Sequence, residues 1–149
     1  MVEHSSASRI EVWIVDLAQA AGALLATEMQ VPRLPEADRA RILGAGCPEA
    51  PAAHQRLAAH VALRIVLEHV FGPVVRQRPF DRTAAGRPSL AGIAGDFSLA
   101  HTGGVALIGV ARSGRVGVDL ERPRRVAMTP RRRAVIEAAA RHLAADAAL

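Results

Sequence analysis

The spacing of apolar and polar positions changes character twice along the chain, and the changes mark out the elements. Residues 10–17 read IEVWIVDL, a run of β-branched and aromatic side chains that suits a strand. Residues 18–29 are rich in Ala and Leu and predict a helix, cut short near Pro32. LPEAD at 34–38 marks a second helix start, because proline is tolerated in a first turn and acids there face the positive end of the helix dipole. Gly44, Gly46 and Cys47-Pro48 end it. In residues 52–71 the side chains of Leu57, Val61, Leu63, Val66, Leu67 and Val70 form the broad apolar face of the longest core helix, stopped by Gly72-Pro73. Beyond it the period shortens. DFSLAHT (96–102), VALIGVAR (105–112) and RVGVDLE (115–121) are short strand-like runs, separated by Gly103-Gly104 and Ser113-Gly114, which predicts an antiparallel meander with two tight turns. Residues 131–149 predict a last helix, with Thr129 as its cap and Pro130 at its first position. The fold class is α+β, a long helix packed on a small antiparallel sheet.

At 149 residues and 15.7 kDa, half apolar and 22% charged, the chain predicts one globular domain over 1–149, with residues 1–9 as a mobile tail. Cys47 is the only cysteine, so no intrachain disulfide can form. There is neither an 18-residue apolar run nor a basic-then-apolar leader, so a soluble, cytoplasmic protein with no membrane partner is expected. All 19 basic residues are Arg and Lys does not occur, which excludes lysine Schiff bases, lysine phosphate clamps and lysine general bases. Residues 1–121 hold twelve arginines against twelve acids, whereas 122–149 hold seven against two. The net charge of +5 therefore sits on a basic C-terminal helix region attached to a neutral body. That distribution, with only Trp13, Phe71, Phe80 and Phe97 as aromatic residues, argues against a nucleic-acid partner.

The candidate chemistry lies in the second half. On a strand, Asp119 and Glu121 of GVDLE point to one face, and two neighbouring carboxylates repel unless a cation or proton sits between them. Such a pair suits Mg²⁺ completed by phosphate oxygens; the bland reading is a solvated strand end paired with Arg122 or Arg124. His101 and Thr102 precede a glycine turn, where a chargeable imidazole and open backbone amides can hold phosphate, or can simply form a turn. Arg87, between Gly86 and Pro88, offers a bidentate phosphate contact or a solvated loop. His54, His60 and His69 are spaced six and nine apart on the long helix, which does not suit a shared metal site. Cys47 has no local base and reads as inert.

Taken in order, VWIVDL, a short Pro-Glu helix, a helix ending LRIVLEHVFG, FDRTAAGRPSL, FSLAHTGG and GVDLE resemble the surfactin-type 4′-phosphopantetheinyl transferases over roughly residues 10–125. Those enzymes move the phosphopantetheine arm of coenzyme A to a carrier-protein serine with Mg²⁺. The resemblance implies Asp119 and Glu121 as Mg²⁺ ligands, and Arg87, His101 and Thr102 as contacts to coenzyme A phosphates. Arg56 and Arg64 lie where the family binds the nucleotide. An acidic carrier protein is the implied partner, and the Arg131–Arg133 run either contacts it or is simply a solvated helix face.

The departures are equally concrete. The family is a pseudo-dimer of two similar halves, and this chain matches the first half plus one helix. The family's W-x-x-K-E motif, which supplies a further metal ligand and the residues that deprotonate the serine, requires a lysine this sequence lacks. The family's serine before the histidine is Ala100 here. Three functions compete. The first is a minimal Mg²⁺-dependent transferase in which Glu121, or water, takes the serine proton. The second is a biosynthetic enzyme repurposed on the same fold, with His101 or Asp119 as acid or base. The third is a non-catalytic module binding coenzyme A or a carrier protein. A homodimer, or a second chain, is expected to cover the surface where the missing half would pack.

Overall fold

The computed structural model describes residues 9–44, 50–84, 86–123 and 128–146, with side chains described as far as 138. The stop signals Gly46 and Cys47-Pro48 and the residues His4 and Arg124 lie outside the described residues.

Strand β1 (Ile10–Asp16) leads directly into helix α1 (Leu17–Gln30), whose first turn is capped by the Asp16 carboxylate accepting from the Gln19 amide at 3.2 Å. Helix α2 (Glu36–Leu43) begins after Pro35, with Glu36 and Asp38 in its first turn, and ends at Gly44. Helix α3 (Pro51–Phe71) is the central element and Gly72 stops it, at φ 86°. The six apolar residues read from its sequence are all buried, and with Ala58, Ala59 and Ala62 they make it apolar on several sides. A helix of that kind has to be surrounded: α1 and α2 cover one side and the sheet the other. A 3₁₀ turn (Pro73–Val75) leads to a two-residue ribbon, β2 (Asp81–Arg82) with β3 (Pro88–Ser89), and then to β4 (Asp96–Thr102) and β5 (Val105–Ala111). Helix α4 (Pro130–Asp146) is capped by the Thr129 hydroxyl, which accepts from the Arg132 amide.

The sheet is three-stranded and antiparallel, in the order β1-β5-β4. Gly103 and Gly104, at φ 55° and 84°, form the hairpin turn between β4 and β5, a conformation that favours glycine at both positions. The Gly104 carbonyl accepts from the Leu17 and Ala18 amides, tying the start of α1 to the hairpin. The meander expected over 96–121 is thus corrected: its third strand is not residues 115–121 but β1, which pairs with β5 from Ile10↔Ala111 to Asp16↔Val105.

Residues 115–121 instead cross the sheet face turned away from α3. Their amides bond β4 side chains, Val116 to the Asp96 carboxylate at 2.8 Å and Val118 to the Ser98 hydroxyl at 3.2 Å. Val116 and Val118 lie over Gly109, where an added Cβ would stand 2.8–2.9 Å from their methyl groups. The core occupies the other face, where Phe97, Ile108 and Val110 of the hairpin meet Leu63, Val66, Leu67 and Val70 of α3. Among the described residues no helix is long and apolar enough to cross a membrane.

Candidate functional site

In β4 the side chains alternate. Phe97, Leu99 and His101 face α3, as the pairing of His101 with Ala106 requires, while Asp96, Ser98, Ala100 and Thr102 face the crossing segment. His101 therefore stands at the end of the strand where both sides of the sheet open. On the α3 side it lines a cavity of about 290 Å³ with His60, Phe80, Arg82 and Arg87. At the sheet end it borders a second hollow with Thr102, Leu120, Glu121 and Arg122.

The crossing segment keeps a strand-like alternation without the ladder. Val116, Val118 and Leu120 are turned in, and Gly117, Asp119 and Glu121 are exposed. Both carboxylates face outward, Glu121 into the hollow beside His101, while Asp119 Oδ1 accepts from the Leu120 amide at 2.8 Å. Among the described residues no three His, Cys, Asp or Glu side chains gather into a group that could hold a metal. Mg²⁺ is commonly held by one or two carboxylates, with substrate phosphates and waters filling the octahedron. The hard oxygen donors of Asp119 and Glu121 fit that arrangement, and only with a ligand's oxygens completing it.

Arg87 is engaged in the fold. Its Nη2 donates to Asp96 Oδ2 at 2.6 Å, to the Phe97 carbonyl at 3.2 Å and to the Val116 carbonyl. Since Asp96 also accepts from the Val116 amide, this cluster fastens the crossing segment to β4 and so places Asp119 and Glu121. Arg64 is buried: its Nη2 donates to Asp38 Oδ2 at 2.8 Å, and its guanidinium lies 3.6 Å over the Phe80 ring. It lines neither cavity beside His60. Arg56 is half-buried and lines an adjoining cavity of about 230 Å³, together with Asp38, Arg41, His60, Phe80 and Arg82.

His60 carries no functional signal in the sequence, since its spacing from His54 and His69 suits no shared metal site. The structure sets it at the junction of the two cavities. Burial, reinforced by His101, Arg64 and Arg82 and partly opposed by Asp38, pushes its imidazole down to about 4. Partial burial and the Arg56 charge also hold His101 below the usual histidine range. His54 is exposed, and His69 meets Trp13 edge-on at 5.6 Å, away from the site. Arg131, Arg132 and Arg133 are exposed on α4.

The chain matches no family model and no curated protein.

Proposed function

We propose that the protein is a minimal phosphopantetheinyl-transferase-like enzyme that takes coenzyme A and transfers its phosphopantetheine arm to a serine of an acidic carrier protein in the cytoplasm. The observation supporting this most directly is the position of His101, which borders both the arginine-rich cavity beside α3 and the hollow that holds Glu121. A ligand carrying a diphosphate could lie along that edge, its anionic groups toward Arg56 and His101 and its reacting phosphorus toward Thr102 and Glu121. Arg64 and Arg87 support the site from within the fold. Mg²⁺ held by Asp119 and Glu121 would neutralise charge on the diphosphate.

In the transfer, the serine oxygen forms a bond to the phosphorus of the pantetheine-side phosphate. The bond from that phosphorus to the bridging diphosphate oxygen breaks, and the nucleoside bisphosphate leaves. Glu121 accepts the serine proton. A positioned base is commonly worth about 10²–10⁴-fold, and an exposed carboxylate is a poorly positioned one, so turnover should be slow.

The repurposed-enzyme and binding-module readings draw on Ala100 and on the absence of lysine. One experiment separates them from the first. An apo carrier protein is incubated with this protein, coenzyme A and Mg²⁺, and its intact mass is read beside an Asp119→Ala control. A gain of one phosphopantetheine that disappears in the control supports the transferase. No gain after long incubation sinks it and turns the search to small molecules bound near His101. We further propose that the protein acts as a homodimer, joined through its exposed β1 edge.

A further inference from the structure

Among the described residues, the cavity between α2, α3 and the β2–β3 ribbon has fewer negative charges than cations. Among the described residues Asp38 is its only carboxylate, and it already accepts from two guanidiniums, Arg64 at 2.8 Å and Arg41 at 2.8 Å. Arg56 and Arg82 line the same cavity, and among the described residues neither has an acidic partner. Among the described residues Arg56 has no hydrogen bond, and its Nε is buried without an acceptor. Arg82 uses Nη1 on the Gly86 carbonyl at 2.8 Å, which leaves its other donors to the cavity. Cations gathered in a partly desolvated cleft raise one another's energy, and an anion between them removes that cost. The planar fork of arginine matches phosphate oxygens in pairs, and in a chain without lysine it is the residue left to do so.

We propose that this cavity is a phosphate-class anion site whose contacts are Arg56, Arg82 and His60, while Arg87 only positions the segment that carries the two acids. Arg82 lies within the FDRTAAGRPSL run without a role of its own there, and His60 lies in no motif; the folded geometry brings them to Arg56. His60 lines both cavities, so a phosphate seated against it has a path along Phe80 to His101. An imidazole there donates one neutral hydrogen bond to the anion, and more strongly if the anion lets it take a proton. The identification of the anion with the phosphates of coenzyme A rests on the transferase reading. The anion site itself rests on the charges.

The test is a titration of the whole protein with inorganic pyrophosphate at neutral pH, without Mg²⁺, followed by heat and by the imidazole resonances. Saturable one-site binding is expected. Arg82→Ala, Arg56→Ala and His60→Gln should each weaken it about tenfold or more, the scale of one lost charge-assisted hydrogen bond. Arg131→Ala removes an equal charge from exposed α4 and should leave it unchanged. Arg87→Ala should lower the melting temperature while the folded protein keeps its affinity. Absence of saturation overturns the site, as does equal weakening by Arg131→Ala, which would show only a general charge effect. Loss of affinity through Arg87→Ala but not Arg56→Ala or Arg82→Ala overturns the assignment of contacts. A parallel titration with coenzyme A keeps the two ideas apart. Pyrophosphate binding without coenzyme A binding leaves the anion site and removes the transferase reading. Coenzyme A binding that ignores all three substitutions does the reverse.

Discussion

His60 shows how one side chain can link the site to stability. Its folded pKa is about 4, against 6.5 for a free imidazole. Between those values the unfolded chain binds the proton more tightly, so the stability contributed by the neutral imidazole is complete above 6.5 and is lost as the pH falls toward 4. The groups around it are His101, Arg64 and Arg82, which disfavour its protonation, and Asp38, which favours it. Denaturant titrations should show a loss on the order of 2 kcal/mol between about pH 7 and about pH 5, reduced in His60→Gln. Identical pH dependence in the two proteins would remove this account. At this scale the sequence shows which apolar residues of α3 are buried, because helical spacing reports a face directly. It does not show that Arg64, Asp38 and Glu28 are buried with them. Arg64 meets Asp38 across 26 positions of sequence, and the Glu28 carboxylate accepts from the Arg33 and Leu34 amides that turn the chain into α2. Charge compensation of this kind is a property of folded neighbours, and no local pattern carries it.

Among elements, the hairpin was legible and its third strand was not. Gly103-Gly104 prescribes the β4–β5 turn locally. Residues 115–121 have the alternation of a strand, and alternation reports only that one side is buried. It does not distinguish pairing at a sheet edge from lying across a sheet face. The edge goes to β1, some ninety residues away along the chain, and what allows the crossing is Gly109, whose missing side chain makes room for Val116 and Val118. Gly109→Ala places a methyl group within 2.9 Å of both, a clash rather than a fill. Overpacking of this kind costs about 1–3 kcal/mol. Trimming the neighbour should return part of it, so Gly109→Ala with Val118→Ala should be more stable than the sum of the two single losses implies. Additive losses in a double-mutant cycle would mean that the crossing segment does not press on the strand. The candidate site follows the same division. Arg87, His101, Asp119 and Glu121 stood out as motif residues, yet whether Arg87 faces a ligand or clamps the chain depends on Asp96 and on the Val116 carbonyl, which only the crossing brings to it.

For the whole molecule the unbalanced feature is the outer end of the sheet. The crossing segment covers β4 and β5, while Ile10, Val12 and Ile14 of β1 turn the same way and are 51%, 58% and 77% exposed. They lie on an edge strand, a combination that natural proteins usually blunt with charge or cover. Among the described side chains of helix α4, Val135 and Ile136 are themselves exposed and do not cover them. A second copy presents the same stripe and the same open edge, so a two-fold pairing of β1 with its symmetry mate would join two sheets into one and bury both stripes at once. The association should appear as a dimer in sedimentation at micromolar concentration. Ile14→Arg, which sets like charges against each other across the axis, should give a folded monomer with unchanged circular dichroism. A wild-type protein that stays monomeric as its concentration is raised would refute the pairing. A dimer that survives Ile14→Arg would move the interface to another surface, such as exposed Val135 and Ile136. The dimer also bears on the function, because the His101 end of β4 lies across the sheet from the β1 edge. Pairing through β1 therefore leaves both candidate sites open, and transfer activity should persist in the Ile14→Arg monomer.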